Sequence, residues 1–411
     1  MLKSLRFLSC TTALAIVLSS AAAAQSGTPR PFEINVSDET LERVLKQFAD
    51  ARFPDRPVAD GWALGTDGAF LERFRDFIIE DYDWRAAEAR LNSFDNFMVE
   101  IDGHQIHYLV AEGEGEQPTP VLMSHGWPGS VWEFMGVIDQ LTKPSKYGGD
   151  ADQALTLVIP SVPGYGWSEL KDNRIISPKG VAELFNRLMT EVLGYERYGT
   201  QGGDIGSLIT AFIAADYSER VLGSHFNIVS FDLKPEEERT EEEKIYWAEA
   251  QEFARQQFDY FDMQAQEPNT VAHALYDNPV GISAWILDKF YSWTDHQGDV
   301  TEAISMDEIA TMIMIYVLTD TIDTSVWMYT GIVSDNGGIF HPTPGEKVEV
   351  PSAFALFPAE LRIGLPPRSW VEDQYNIVRW TEMPRGGHFA AVEEPDIFVK
   401  DVLAFFSQLK K

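Results

Sequence analysis

The sequence predicts an α/β protein built on a mostly parallel central sheet with helices on both faces. Three observations carry that expectation. Short apolar runs at 121–124 and 155–159 alternate with longer stretches of helical periodicity such as 181–193, the pattern of strand–helix–strand crossovers. A strand-like run leads into Gln201-Gly202-Gly203-Asp204-Ile205-Gly206-Ser207 and opens an apolar helical stretch at 208–217. That spacing suits a sharp strand-to-helix turn that lifts one side chain above a sheet. Finally, 231–344 is helical and aromatic-rich with no clear strand, and the sheet pattern resumes at 350–357 and 375–383.

These signals divide the chain into a leader at 1–24, an N-terminal helical segment at 25–95, a first core part at 96–230, a helical lid at 231–344 and a second core part at 345–411. In the leader, Lys3 and Arg6 precede a short apolar stretch at 12–18, and Ala22-Ala23-Ala24 offers a cleavage site before Gln25. The expectation is export to the periplasm or medium, with an uncleaved membrane anchor as the alternative. Cys10, the only cysteine, lies inside this leader, so a cleaved chain has no disulfide, thiolate or cysteine-bound metal.

The elements follow in order. After a polar lead-in at 26–30, Ser37 reads as an N-cap, with Leu41, Val44, Leu45 and Phe48 at helical spacing behind it. Pro54 and Pro57 break that helix. Phe70, Phe74, Phe77 and Ile78 lie on one face of a second, and 82–85 leads into a third that ends near 91–92. Strand signals begin at 97–101, and the Asp102-Gly103 turn sends 104–110 back as a hairpin. His104 and His107 read as ordinary strand histidines, since no acidic or histidine partner stands near them to complete a metal site. The charged run 235–244 reads as a solvated helix start, and 396–409 as the closing helix.

Composition narrows the function classes. The 411 residues are 45% hydrophobic and 12% aromatic, values of a globular chain with ample core. A net charge of −32 argues against nucleic acid or an anionic membrane surface as partner. Neither Gly-x-x-x-x-Gly-Lys-Ser/Thr nor a Gly-x-Gly-x-x-Gly after a strand occurs, so a nucleotide cofactor has no support.

The chemistry centres on Asp204. A turn of this kind usually presents Ser or Cys, but a carboxylate is already charged at neutral pH and needs no base to activate it. It suits attack on saturated carbon, giving an ester that water must then cleave. Cleavage needs a histidine to activate water, an acid to orient it, and oxyanion donors. His388, in Arg385-Gly386-Gly387-His388-Phe389, follows the last strand, where the expected chain order places the histidine. Glu360 follows the strand before it and is preferred as the acid over Glu372 and Asp373, which lie deeper in the next helical stretch. The backbone N–H groups of Ile205 and of Trp127, in His125-Gly126-Trp127-Pro128, are the candidate oxyanion donors, and the bond before Pro128 is a candidate for cis. A departing alkoxide needs phenol donors, and the insertion offers Tyr246, Tyr260, Tyr276, Tyr291, Tyr316 and Tyr329.

Taken together, His125-Gly126-Trp127-Pro128-Gly129-Ser130, Gly202-Gly203-Asp204-Ile205-Gly206-Ser207 and Arg385-Gly386-Gly387-His388-Phe389-Ala390-Ala391 closely resemble the microsomal-type epoxide hydrolases, juvenile hormone epoxide hydrolases included. The N-terminal part resembles the helical segment that wraps the core in that family, from Pro31-Phe32-Glu33-Ile34 through Asp81-Tyr82-Asp83-Trp84-Arg85 to Leu91-Asn92, so the resemblance covers nearly all the chain beyond the leader. It implies an α/β-hydrolase fold, a small-molecule epoxide as substrate, and no metal or organic cofactor; the Trp, Phe and Met of the lid suggest that the epoxide is bulky and apolar. It assigns Asp204 as nucleophile, His388 as base, Glu360 as its acid partner, and Tyr260 and Tyr329 as the two lid phenols. Two departures stand out: Ile205, where relatives often carry Trp, and the cleavable-looking leader. A haloalkane dehalogenase and a catalytically silent binding protein on the same scaffold are the competing readings.

Overall fold

The structure is a computed structural model, and it describes residues 26–54, 61–229, 235–336, 347–360 and 365–410. The leader at 1–24 and Pro57 lie outside the described residues.

Among the described residues, nine strands form one sheet. They are β1 (Arg30–Pro31), β2 (Asp95–Ile101), β3 (His104–Ala111), β4 (Thr119–Ser124), β5 (Leu155–Pro160), β6 (Tyr198–Gly202), β7 (Val221–Phe226), β8 (Val348–Leu356) and β9 (Tyr375–Glu382). Their spatial order is β1-β2-β3-β5-β4-β6-β7-β8-β9. β1, β2 and β3 pair antiparallel, as do β3 and β5, while the rest pair parallel. Leu155–Pro160 is buried along its whole length, as a strand covered on both faces must be. Asp102 (φ 53°) and Gly103 (φ 85°) make the tight hairpin turn expected between β2 and β3.

Ser37 accepts the Thr40 N–H and caps helix Asp38–Asp50, which buries Val44 and Phe48. Phe70, Phe74 and Ile78 are buried on Gly68–Glu80, and Trp84–Leu91 follows. At the end of the lead-in, Arg30 and Pro31 pair with Met98 and Phe97 and extend the sheet edge. The helical stretch at 181–193 runs as an α-helix over Pro178–Arg187 and then widens into a π-helical turn at Leu188–Val192.

The helical insertion runs from Glu241 to Asn336 between β7 and β8. The N-terminal segment packs on it: Trp62 stacks on Tyr291 at 4.2 Å, and the Tyr82 hydroxyl meets that of Thr311 at 2.9 Å. Among the described residues no single helix is long and apolar enough to cross a membrane. No cluster of three His, Cys, Asp or Glu is placed to hold a metal there either. His104 and His107 have separate partners: His104 Nδ1 accepts the Lys171 N–H, while His107 is buried between Ser161 and Asn96.

Candidate active site

Parallel sheets place their sites beyond the carboxyl ends of the strands. Here the loops after β4, β6, β8 and β9 converge there, beneath the insertion.

The turn after β6 holds Asp204 at φ 49° and ψ −132°, a backbone conformation costly for any residue but glycine and kept only where the surroundings enforce it. The enforcement is steric. A Cβ on Gly206 would run into the Ser124 carbonyl, and one on Gly202 into the Gly206 carbonyl, so both flanks of the turn require glycine. Asp204 is also the N-cap of helix Ile205–Asp216. The helix dipole therefore favours its charge, and the Ile205 N–H, at the first helical position, has no acceptor within the helix.

The loop after β4 supplies the other donor: the Trp127 N–H reaches Asp204 Oδ1 at 2.7 Å. The Trp127–Pro128 bond is cis, as the sequence suggested. His125 braces this loop. Its Nδ1 lies 3.0 Å from the Gly126 carbonyl, and its Nε2 accepts the Val162 N–H at 3.1 Å. Burial lowers its pKa to about 4, so it stays neutral and serves as scaffold. The Tyr316 hydroxyl donates to the Gly129 carbonyl at 2.6 Å and fixes the far side of the loop.

His388 Nδ1 sits 2.8 Å from Glu360 Oε1, and its Nε2 lies 3.5 Å from Asp204 Oδ2. The other acid candidates are elsewhere: Glu372 accepts from Arg368 on its own helix at 2.6 Å, and Asp373 ends that helix. Burial alone would lower the His388 pKa. The Glu360 charge and hydrogen bond, followed by the Asp204 charge, outweigh it and raise the value from 6.5 to about 9. The resting site thus holds an imidazolium between two carboxylates. The Asp204 side chain keeps 21% exposure, which leaves it reachable by a small molecule.

Two phenols close the site from the insertion. Tyr260 (helix Asp259–Gln266) stacks on Trp127 at 5.6 Å, Tyr329 (helix Ile322–Asn336) meets the same ring edge-on at 5.8 Å, and the two phenol rings lie 5.9 Å apart, edge to face. Burial, with the Asp204 charge adding to it, raises both well above 10, so both are neutral donors at pH 7. The remaining tyrosines are not in this group. Tyr316 serves the Gly129 carbonyl, Tyr291 stacks on Trp62, Tyr246 packs edge-on to Trp370, and Tyr276 is exposed.

The site also contains ionisable groups that sequence reasoning passed over. The Glu133 carboxyl group packs against Gly129; burial raises its pKa from 4.5 to about 8, and the Asp204 charge pushes the same way while the His388 charge opposes it. Lys289 is buried, with Nζ 4.5 Å from the centroid of the Tyr260 ring. Glu393 lies behind the His388 loop. Each had one faint signal: Glu133 is a lone charge inside an apolar run, Lys289 sits beside Asp288 in another, and Glu393 sits five residues after His388.

The chain as a whole has relatives among known proteins. Residues 29–134 match the family model for the epoxide hydrolase N terminus, and residues 119–273 match that for the alpha/beta hydrolase fold. Epoxide hydrolase 1 of Sus scrofa is 32% identical over 418 residues, 95% of this chain and 91% of that one. The structure of Aspergillus niger epoxide hydrolase superposes with a TM-score of 0.80 at 27% identity, covering 93% of this chain and 97% of that one. The crystal structure of juvenile hormone epoxide hydrolase from the silkworm Bombyx mori gives 0.82 at 27%, covering 93% and 95%. With a relative this similar over nearly the whole of both chains, the protein belongs to the epoxide hydrolase family, on the α/β-hydrolase fold.

Proposed function

We propose that the protein converts an apolar epoxide and water into a vicinal diol through a covalent ester on Asp204. The observation that carries this reading is the geometry around one carboxylate. Oδ1 is held by the Trp127 N–H, Oδ2 faces the His388 imidazolium, and the two neutral phenols sit above.

In the first half-reaction Tyr260 and Tyr329 donate hydrogen bonds to the epoxide oxygen. Asp204 Oδ2 attacks a ring carbon, that carbon–oxygen bond breaks, and the freed oxygen takes a proton from a phenol. The phenolate recovers its proton from the His388 imidazolium, which leaves the imidazole neutral. Esterification removes the Asp204 charge, and with it one of the causes that held the His388 pKa near 9. In the second half-reaction His388, oriented by Glu360, takes a proton from water as the oxygen adds to the Asp204 carbonyl carbon. The Trp127 and Ile205 N–H groups stabilise the oxyanion at Oδ1. Collapse expels the diol oxygen, which takes the carboxyl proton, and the resting carboxylate and imidazolium return. No step calls for a metal or an organic cofactor. Trp127, Tyr260, Phe261, Trp293 and Tyr329 form one aromatic cluster around the phenols, which supports a bulky apolar substrate.

One observation favours a second reading. The indole N–H groups of Trp127 and Trp293 are buried without a partner among the described residues, and such donors could hold a halide released by the same ester chemistry. Incubation with epoxides and with haloalkanes separates the two. We expect diol from epoxides and no halide release; halide without diol would overturn the epoxide reading. The leader composition supports export, and fractionation of cells carrying the full chain tests that: all of the protein in the cytoplasm, leader intact, would sink it.

A further inference from the structure

Glu393 takes no part in the chemistry above, yet four hydrogen bonds meet around it. Its Oε1 accepts the N–H of Phe389, the residue after His388, at 2.9 Å. Its Oε2 accepts the N–H of Asp295, just beyond helix Pro279–Trp293, at 2.8 Å. The Asp295 carboxylate in turn accepts the N–H of Gly386, two residues before His388, at 2.8 Å. The His388 N–H itself donates to the Trp293 carbonyl at 2.9 Å. Both ends of the histidine loop are thus tied to one end of one helix of the insertion. Gly387 permits the fit, since a Cβ there would stand 2.5 Å from the Trp293 carbonyl and 3.1 Å from either Glu393 oxygen.

The helix end tied in this way also touches the substrate side. The Trp293 ring lies 4.9 Å from the His388 ring and 5.4 Å from that of Tyr260. Burial raises the Glu393 pKa from 4.5 to about 7, while the two N–H donors and the His388 charge hold it down.

We propose that Glu393 is a positioning residue. Together with Asp295 it latches the end of the lid helix to the His388 loop, and this latch sets the geometry of ester hydrolysis. The proposal rests on the covalent mechanism above. Ester formation needs Asp204 and the phenols, whose backbones the latch does not hold, and draws on His388 only as the acid that returns the phenol proton, a task less exacting in geometry than aiming a base at water. Hydrolysis needs His388 Nε2 aimed at a water beside the ester, and a displacement of about 1 Å there can slow a step roughly hundredfold. A Gln at 393 turns one acceptor into a donor facing a backbone N–H, which opens the latch while nearly preserving side-chain volume.

The test is single-turnover kinetics of the full chain with styrene oxide, quenched and followed by mass analysis of the Asp204 peptide. For Glu393→Gln we expect ester formation within about twofold of the unsubstituted protein and ester decay slowed about tenfold to hundredfold. In the steady state kcat and KM then fall together and kcat/KM holds. If that variant does not fold, Asp295→Ala carries the same expectation, because it removes only the acceptor of the Gly386 N–H. Equal loss in both steps, or no change in decay, would overturn the latch. Failure of the unsubstituted protein to form any ester would instead bring down the covalent mechanism, and the latch with it.

Discussion

Two histidine–carboxylate pairs are buried among the described residues, and they differ in what the second ring nitrogen faces. His225, on β7, sits 3.2 Å from Asp401 of helix Pro395–Leu409. That carboxylate also accepts from Arg379 Nε and the Thr381 hydroxyl, both at 2.8 Å. The other nitrogen of His225 is buried without a partner among the described residues, and Phe398 and Phe405 pack on its ring. The pair pins the last helix to the sheet. His388 and Glu360 make a closer pair, but there the second nitrogen opens onto Asp204. Pairing with a carboxylate is common to both; facing the partly exposed Asp204 carboxylate is what makes one of them a candidate for catalysis.

The largest expected effects split along that line. Exchanging His388 for Gln should lower turnover roughly thousandfold or more, with the Asp204 ester accumulating after epoxide is added. The same exchange at His225 should leave kcat of the folded protein within a few-fold and lower the melting temperature. A silent Asp204 peptide in the His388 variant would remove histidine from the second step. Next come the acids. Asp401→Asn breaks a buried ionic cluster and should cost about 3–5 kcal/mol in urea unfolding. Glu360→Gln should cut kcat roughly a hundredfold while unfolding near the urea midpoint of the unsubstituted protein. Matching stability losses at 360 and 401 would erase the distinction between the pairs.

Smaller effects sharpen it. Tyr260→Phe and Tyr329→Phe should each slow ester formation about tenfold, and the double exchange by more, without slowing ester decay. The pH dependence carries the opposite signs of the two pairs. The His388 pKa is raised, so the imidazolium that restores the phenol is present below about pH 9, and ester formation should fall as pH rises through that value. Glu360→Gln removes a cause of the rise and should move the falling limb to lower pH. Asp401 is held well below its usual 3.8: burial works against this, and the bonds from His225 and Arg379 prevail. Its contribution to stability is therefore present above about pH 3.8 and lost as pH falls below it, and the Asp401→Asn variant should show less of that acid loss.

Much of the architecture could be read from residue types because local rules decide it. The hairpin at Asp102-Gly103, the cap at Ser37 and the turn at Asp204 each need particular residues in particular backbone conformations. Glu360 was legible from chain order, and the structure places it on the His388 ring. What escaped depends on distant partners. Arg30–Pro31 becomes a strand only because Phe97 and Met98 lie beside it. Val221–Phe226 carries Gly223, Ser224 and His225 in a short run and so looks unlike a buried strand. Glu133, Lys289 and Glu393 look like ordinary surface charges until the loops and the insertion close around them, since burial of an ionisable side chain is a tertiary event.

The most direct test is a single turnover in heavy-oxygen water, followed by mass analysis of the diol and of the Asp204 peptide. The covalent account predicts that the first label appears in the Asp204 carboxylate and not in the diol. Label entering the diol in that first turnover, with Asp204 unlabelled, would mean that water attacks the epoxide directly and would contradict the account.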